Sequence, residues 1–362
     1  MGIESTTALA VSGLLAFLIT ALLGRRMIPM LHKLKFGQTI RDIGPAWHKN
    51  KQGTPTMGGL IFISGWILTV AIAMIVCSLG FSDVPEMKML TADHETVVRL
   101  YGGILLALGC ALIGFVDDYI KVVKKRNLGL TERQKLFAQL LVATMYAVAL
   151  YWAEGGHPHM TVPFVGSVDM GLWMFPFCIF VVVGVTNSTN LTDGVDGLCG
   201  SVSFVTALFF VAAACLGMVG GEAFFGQGVV AAAFAGGLAG FLLYNLHPAK
   251  VFMGDTGSLY IGGVLCGLAF GMDIPLLLVP VGIIYIAETL SVMLQVTYFK
   301  LTHGKRIFKM TPLHHHYQKD AGVVDALIQR PLRAIAEQKI VTRFWIIGII
   351  LAVITFVTLK IR

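Results

Sequence analysis

Charged residues are scarce in this chain, since Asp, Glu, Lys and Arg make up only 13% of its 362 residues, against roughly 25% in an ordinary soluble domain. The six cysteines include no C-x-x-C pair, so we expect neither disulfide bonds nor a zinc site built on thiolates. No Walker A, G-x-G-x-x-G or G-x-S-x-G sequence occurs either. These absences argue against a soluble protein and against P-loop ATP hydrolysis, hydride transfer and serine hydrolysis.

Apolar residues account for 56% of the chain and are gathered in long runs. A helix that crosses a hydrocarbon core of about 30 Å needs about 20 such residues. We therefore predict an all-α integral membrane protein, with residues 1–362 as one transmembrane domain of about ten helices. The predicted segments are 5–24, 57–79, 98–120, 134–153, 170–188, 198–219, 228–246, 257–273, 274–299 and 343–360.

Basic residues predict the orientation, because Lys and Arg are retained on the cytoplasmic side of a membrane. With the N-terminus outside, 23 of the 27 Lys and Arg residues fall on the cytoplasmic side. Both termini are thus expected to be periplasmic. The net charge of +7 is better explained by anionic membrane lipids and a phosphorylated substrate than by nucleic acid.

The ninth segment, 274–299, would be about 39 Å long as one straight helix. It contains Pro280 and the ionisable Glu288. Because proline removes a backbone hydrogen bond, we predict that this helix is broken or strongly tilted. Glu288 is either a functional residue within the membrane or the point at which the helix has already emerged into water.

Two adjacent aspartates, Asp117 and Asp118, end the third segment beside the basic residues Lys121 and Lys125. Acidic residues are disfavoured near a helix C-terminus, so a functional role is favoured over simple helix termination. Neighbouring helical residues point about 100° apart. The two carboxylates should therefore differ, one approaching a metal ion or nucleophile while the other holds a lysine.

The segment after the fifth helix, NSTNLTDGVDGL at 187–198, is dense in oxygen and amide groups. Its candidate ligands are Asn187, Asn190, Asp193 and Asp196. Such groups suit a hard cation or the hydroxyls of a nucleoside. A capping loop between helices is the alternative, and an EF-hand loop fits poorly because the distal Glu that it requires is missing.

The segment NLHPAKVFMGDTGS at 245–258 places Asp255 close to a helix start, where anions are favoured. Asp255 is a candidate metal ligand, or alternatively a plain N-cap. Phe252 offers a face on which a base can stack, and Asn245 is a further polar candidate.

Three consecutive histidines follow in PLHHHY at 312–317. They cannot all bind one ion from a regular helix, but His314 and His315 can neutralise or hydrogen-bond a diphosphate. Transition-metal binding is the alternative. Lys51 and Thr56, at the start of the second helix, form a weak phosphate-binding signal.

Taken in order, these motifs resemble the polyprenyl-phosphate N-acetylhexosamine-1-phosphate transferases. The resemblance runs nearly end to end, although 318–339 is longer than the family pattern. The matching motifs are TPTMGG at 54–59, GFVDDY at 114–119, NLTDGVDGL at 190–198, VFMGDTGSL at 251–259, ETLSVMLQV at 288–296 and PLHHHY at 312–317.

The resemblance implies a Mg²⁺-dependent homodimer in the bacterial inner membrane, with its active site on the cytoplasmic face. TPTMGG and PLHHHY are most similar to the branch that transfers phospho-N-acetylmuramoyl-pentapeptide from UDP-N-acetylmuramoyl-pentapeptide to undecaprenyl phosphate, giving lipid I and UMP. It implies Asp255 as magnesium ligand, and Asp117, Asp118 and His314 as catalytic residues. The implied substrate-binding residues are Lys51, Thr56, Lys121, Lys125, Asn187, Asn190, Asp193, Asp196, Asn245, Phe252 and His315.

Two other functions compete with this one. A related transferase would use UDP-N-acetylglucosamine for a different polymer. A transporter of a phosphorylated compound would also have many helices, but its binding site would lie near the middle of the membrane, whereas the ionisable residues here collect at one face.

Overall fold

A computed structural model describes residues 3–33, 53–78, 94–123, 129–216 and 224–360 of the chain. These residues are mostly helical. The long helices are α1 (Ile3–Lys33), α2 (Gly59–Ser78), α3 (His94–Val123), α4 (Glu132–Ala153), α5 (Met174–Thr192), α6 (Leu198–Leu216), α7 (Phe225–Asn245), α8 (Gly254–Gly271), α10 (Ile283–Leu301) and α12 (Glu337–Lys360), and the short ones are α9 (Leu278–Val281) and α11 (Leu313–Tyr317).

Every one of the ten predicted segments contains a helix, so the all-α membrane fold is confirmed. By length and apolar composition, eight helices in the described part of the chain can cross a membrane, and nine if one bent pair counts as a single span. The segment outside this count is α8, which is only 18 residues long and rich in glycine.

The ninth segment is broken, as its sequence predicts. Residues Pro275–Val281 and Ile283–Leu301 form two pieces at 78° to each other, with Gly282 between them. A side chain at Gly282 would overlap the backbone oxygen of Leu278, so the turn depends on glycine. Glu288 follows the bend and is fully buried within the protein, so its side chain does not face water.

Helix α8 lies at the centre of the molecule, and nearly all of its side chains are buried. It approaches its neighbours through glycines. A methyl group built on Gly114 of α3 would overlap the backbone oxygen of Asp255, and one on Gly59 of α2 would overlap the backbone of Gly257. Small residues permit such close helix packing in membranes. This packing brings the C-terminal end of α3 against the N-terminal end of α8.

A hairpin lies at the other end of α8. Strands β1 (His159–Val162) and β2 (Gly166–Asp169) pair antiparallel. The hydroxyl of Thr161 donates to Asp273, one residue beyond the C-cap of α8. This bond attaches the hairpin to the C-terminal end of α8, about 27 Å along the helix from Asp255. All six cysteines are free, as expected.

Candidate active site

Three carboxylates meet where α3 ends and α8 begins. One oxygen from each of Asp117, Asp118 and Asp255 lies within 4.8 Å of the other two, although more than 130 residues separate the pair from the third along the chain. Carboxylates so close together repel one another unless cations compensate them. The sequence predicted each as a site residue, and the fold brings them together.

The adjacent pair is not equivalent, as helix geometry predicts. Asp118 accepts hydrogen bonds from the backbone N–H (2.9 Å) and the hydroxyl (2.7 Å) of Thr256 and from the backbone N–H of Asp255 at 3.2 Å. It therefore caps the N-terminus of α8, a position that favours negative charge. Asp117 instead lies 2.5 Å from the Nζ atom of Lys121.

Two lysines supply the compensating charge. The Nζ atoms of Lys121 and Lys135 lie 2.8 Å and 3.0 Å from the same oxygen of Asp255. Lys135 also donates to the side-chain oxygen of Asn190 at 3.3 Å. Lys135 is not among the site residues that the sequence predicts. The available signal was its position one helical turn before Gln139, a polar residue on the same face of α4.

Asn190 fixes the other oxygen of Asp255, to which its amide donates at 2.8 Å; the same amide donates to the hydroxyl of Ser258. Asp255 is thus neither a plain N-cap nor free to rotate. Asn187, one turn earlier on α5, bonds to α4 instead of to Asp255. Its amide donates to Gln139, so Asn187 joins α5 to α4.

Thr56 adds a buried hydroxyl beside the carboxylates. The hydroxyl oxygen of Thr56 and a carboxylate oxygen of Asp118 both lie against the backbone of Gly254. Within the described part of the chain, this hydroxyl has no hydrogen-bond partner. Backbone bonds hold it there: the N–H of Phe252 donates to Pro55 and its carbonyl accepts from Gly58. The resulting donor set, carboxylates plus one hydroxyl, consists of oxygen only and fits a hard cation such as Mg²⁺.

Asp196 belongs to a different group. Its carboxylate lies 2.9 Å from Nδ1 of His247, which is 3.3 Å from Glu337 of α12. Asn245 holds the same region, because its side chain accepts from the backbone N–H of Gly197 and donates to a nearby carbonyl. Both predicted residues therefore shape the loop beside the three carboxylates. Asp193 ends α5 and is half-buried.

The three histidines have three different environments. His314 is fully buried, and its Nδ1 atom lies 3.1 Å from the carboxylate of Glu288. The half-buried His315 pairs through Nδ1 with Gln318. His316 accepts from the backbone N–H of Lys309. The candidate metal-binding groups found among the described residues include none of these three histidines.

The long segment after the histidines folds around Lys309, whose side chain is fully buried. The Nζ atom of Lys309 donates to the carbonyls of Lys319 and Pro331. The ring of His316 donates through Nε2 to the carbonyl of Arg330. Burial lowers the pKa of His316, which keeps this ring neutral. These bonds hold the segment in place next to the three histidines.

Comparison with known proteins decides the family. Residues 100–273 match the family model described as glycosyl transferase family 4, and residues 51–63 match signature 1 of the phospho-N-acetylmuramoyl-pentapeptide-transferases. The curated enzyme of that name from Caldanaerobacter subterraneus is 44% identical over 96% of this chain and 97% of its own length. The enzymes of Desulforamulus reducens and Bacillus subtilis are 43% and 42% identical, each over 94% of this chain and 92% and 94% of their own lengths. The chain belongs to the phospho-N-acetylmuramoyl-pentapeptide-transferase family.

In this transferase, the predicted residues within the described part of the chain divide into two sets, apart from Asn187, which bonds to Gln139 of α4. Those that meet at the three carboxylates are Asp117, Asp118, Asp255, Lys121, Asn190 and Thr56. Those that lie in the adjoining loops are Asp193, Asp196, Asn245, Phe252, His314 and His315. Lys51 and Lys125 lie outside the described residues.

Proposed function

We propose that this chain transfers phospho-N-acetylmuramoyl-pentapeptide from UDP-N-acetylmuramoyl-pentapeptide to undecaprenyl phosphate, forming lipid I and UMP for peptidoglycan synthesis. The observation that carries the proposal is the convergence of Asp117, Asp118 and Asp255 with two lysines in a chain of this family. The reaction requires several negative charges to be held together at one place, and this arrangement supplies the groups to hold them.

The chemistry is the attack of one phosphate on a diphosphate. A divalent cation bound by Asp255, with Asp117 and Asp118 beside it, would offset the repulsion between the two anions and the charge that develops on the leaving UMP. Lys121 and Lys135 already lie against Asp255 and contribute fixed positive charge at the same point. Asp117 activates the lipid phosphate.

The nucleotide-sugar is assigned to the loops that border the carboxylates. Asp193, Phe252 and His315 are half-buried there and supply polar and aromatic contacts, together with Lys51, Lys125 and Thr56. Asp196 and Asn245 act on the substrate through the loops that they shape. Asn187 acts through its bond to Gln139 on α4.

The site is assigned to the cytoplasmic face of the bacterial inner membrane. The asymmetric distribution of Lys and Arg supports this orientation, which also places both termini in the periplasm. We infer further that the chain acts as one catalytic domain and forms a homodimer, on the strength of the family resemblance. Reaction of membrane-impermeant maleimide with single cysteines in inner loops and in the hairpin tests the orientation.

The deciding experiment is a transfer assay with the purified chain, undecaprenyl phosphate and one of two nucleotides. UDP-N-acetylmuramoyl-pentapeptide is expected to release UMP only when Mg²⁺ is present. Preference for UDP-N-acetylglucosamine would indicate the related transferase instead. Absence of UMP release with either nucleotide would favour the transporter.

Lys135 provides a test of the charge arrangement. Lys135→Gln removes one of the two cations on Asp255, and a hydrogen bond to a charged group contributes about 1.5–3 kcal/mol. We expect kcat to fall about 10- to 100-fold, measured by UMP release. The matched control is Arg133→Gln, which makes the same charge change at an exposed position half a turn away. Equal activity of both variants would contradict the role of Lys135.

A further inference from the structure

Glu288 and His314 form a pair that is sealed from solvent. Glu288 lies on α10 beyond the bend, His314 lies on the short helix α11, and both side chains are 0% exposed. The backbone N–H of His314 donates to the two carboxylate oxygens at 3.2 Å and 3.3 Å. The Nδ1 atom of the same residue lies 3.1 Å from one of them. The carboxylate therefore faces both the main chain and the ring of a single residue.

Burial on this scale calls for an explanation. A buried carboxylate loses several kcal/mol of hydration free energy, which hydrogen bonds and opposite charge must offset. The Nδ1 atom of His314 lies within ion-pair distance of the Glu288 carboxylate, although the geometry between them is not that of a hydrogen bond. Such contacts commonly tighten when a ligand binds. A carboxylate facing Nδ1 stabilises the ring form in which Nδ1 carries a proton.

The other ring nitrogen lies against the turn that follows Asp193. A methyl group built on Gly194 would overlap Nε2 of His314, so the ring rests against the turn that joins α5 to α6. Within the described residues, Nε2 has no hydrogen-bond partner. His316 differs, because its Nδ1 accepts from Lys309 and its Nε2 donates to Arg330. Of these two buried histidines, only His314 therefore has a ring nitrogen that is not already hydrogen-bonded within the described residues.

We propose that Glu288 is a positioning residue: its carboxylate holds the imidazole of His314 in the Nδ1–H form and directs Nε2 at the substrate beside Asp193 and Gly194. This rests on the proposed transferase function and on a place for His314 in its site. The role parallels the carboxylate that orients a histidine in other enzymes. Glu288 itself touches neither substrate nor metal.

A spectroscopic test leaves Glu288 unchanged. The full chain labelled with ¹⁵N-histidine is reconstituted in lipid nanodiscs, and His314→Gln assigns the signal by difference. We expect the ¹⁵N shifts of His314 to show a protonated Nδ1. A His314 signal with unprotonated Nδ1 and protonated Nε2 would overturn the proposal, and this outcome does not depend on whether any Glu288 variant folds.

A kinetic test then uses three substitutions of Glu288 and one of His314. Glu288→Gln keeps an acceptor oxygen for the ring but removes the charge, so we expect kcat to fall about 10- to 100-fold with KM for the nucleotide-sugar changed less than about 3-fold. Glu288→Ala should lower kcat further, and the kcat of Glu288→Asp should lie between that of Glu288→Ala and that of the unmodified chain. Full kcat in both the Gln and Ala variants would refute the positioning role. Full kcat in His314→Gln would instead refute the place of His314 in the proposed function.

Discussion

Asp255→Asn is expected to abolish turnover, with kcat reduced more than about 10³-fold even at high Mg²⁺. Asp255 is the carboxylate on which Lys121, Lys135 and Asn190 converge. Asparagine leaves an uncharged side chain in a position that two ammonium groups surround and loses the proposed metal ligand. Losses of several kcal/mol in charge stabilisation correspond to factors of this size.

The measurement is UMP release by purified variants in detergent. Asp325→Asn is the control, because Asp325 is an exposed carboxylate in the loop between α11 and α12 and its loss should leave kcat unchanged. The thermal unfolding midpoint of Asp255→Asn should stay close to that of the unmodified chain. Near-normal turnover of a folded Asp255→Asn protein would remove the basis for the assigned role.

Gly114→Ala is expected to lower both activity and stability. The added methyl group overlaps the backbone oxygen of Asp255, and a backbone atom cannot rotate aside as a side chain can. Helices α3 and α8 must therefore separate where Asp117 and Asp255 meet. A displacement of about 1 Å can reduce turnover about 10²-fold, and overpacking destabilises by about 1–3 kcal/mol.

Gly184→Ala is the matched control for this substitution. Gly184 also lies within a membrane helix, α5, but a methyl group there meets nothing within 4 Å. Alanine favours a helix over glycine by about 1 kcal/mol, so this variant should be at least as stable as the unmodified chain. If Gly114→Ala proves equally harmless, α3 and α8 do not make close backbone contact at Gly114.

The helices and part of the site could be predicted from the sequence, because the signals for them each lie within one segment of the chain. Apolar length predicted the ten helical segments, and Pro280 predicted a break in the ninth, which the structure places two residues later, at Gly282. Acidic residues at apolar helix ends revealed Asp117, Asp118 and Asp255. Each of these signals is local, so no knowledge of packing was needed.

Other parts of the site could not be predicted, because they depend on contacts between distant segments. Lys135 gains its place only because α4 packs beside α5 and α8. Asn187 looked equivalent to Asn190, yet it faces Gln139. The difference between His314 and His316 arises from Glu288 and from the loop around Lys309.

The glycine contacts of α8 restrict which parts of the enzyme can move during a catalytic cycle. Neighbouring backbones touch this helix on three sides, at Gly257, Gly262 and Gly267, so it can neither slide nor rotate without rupturing them. Motions that admit and release substrates are therefore expected in the elements around α8 and not in α8 itself. Amide protons of α8 should accordingly be among the slowest in the protein to exchange with deuterium.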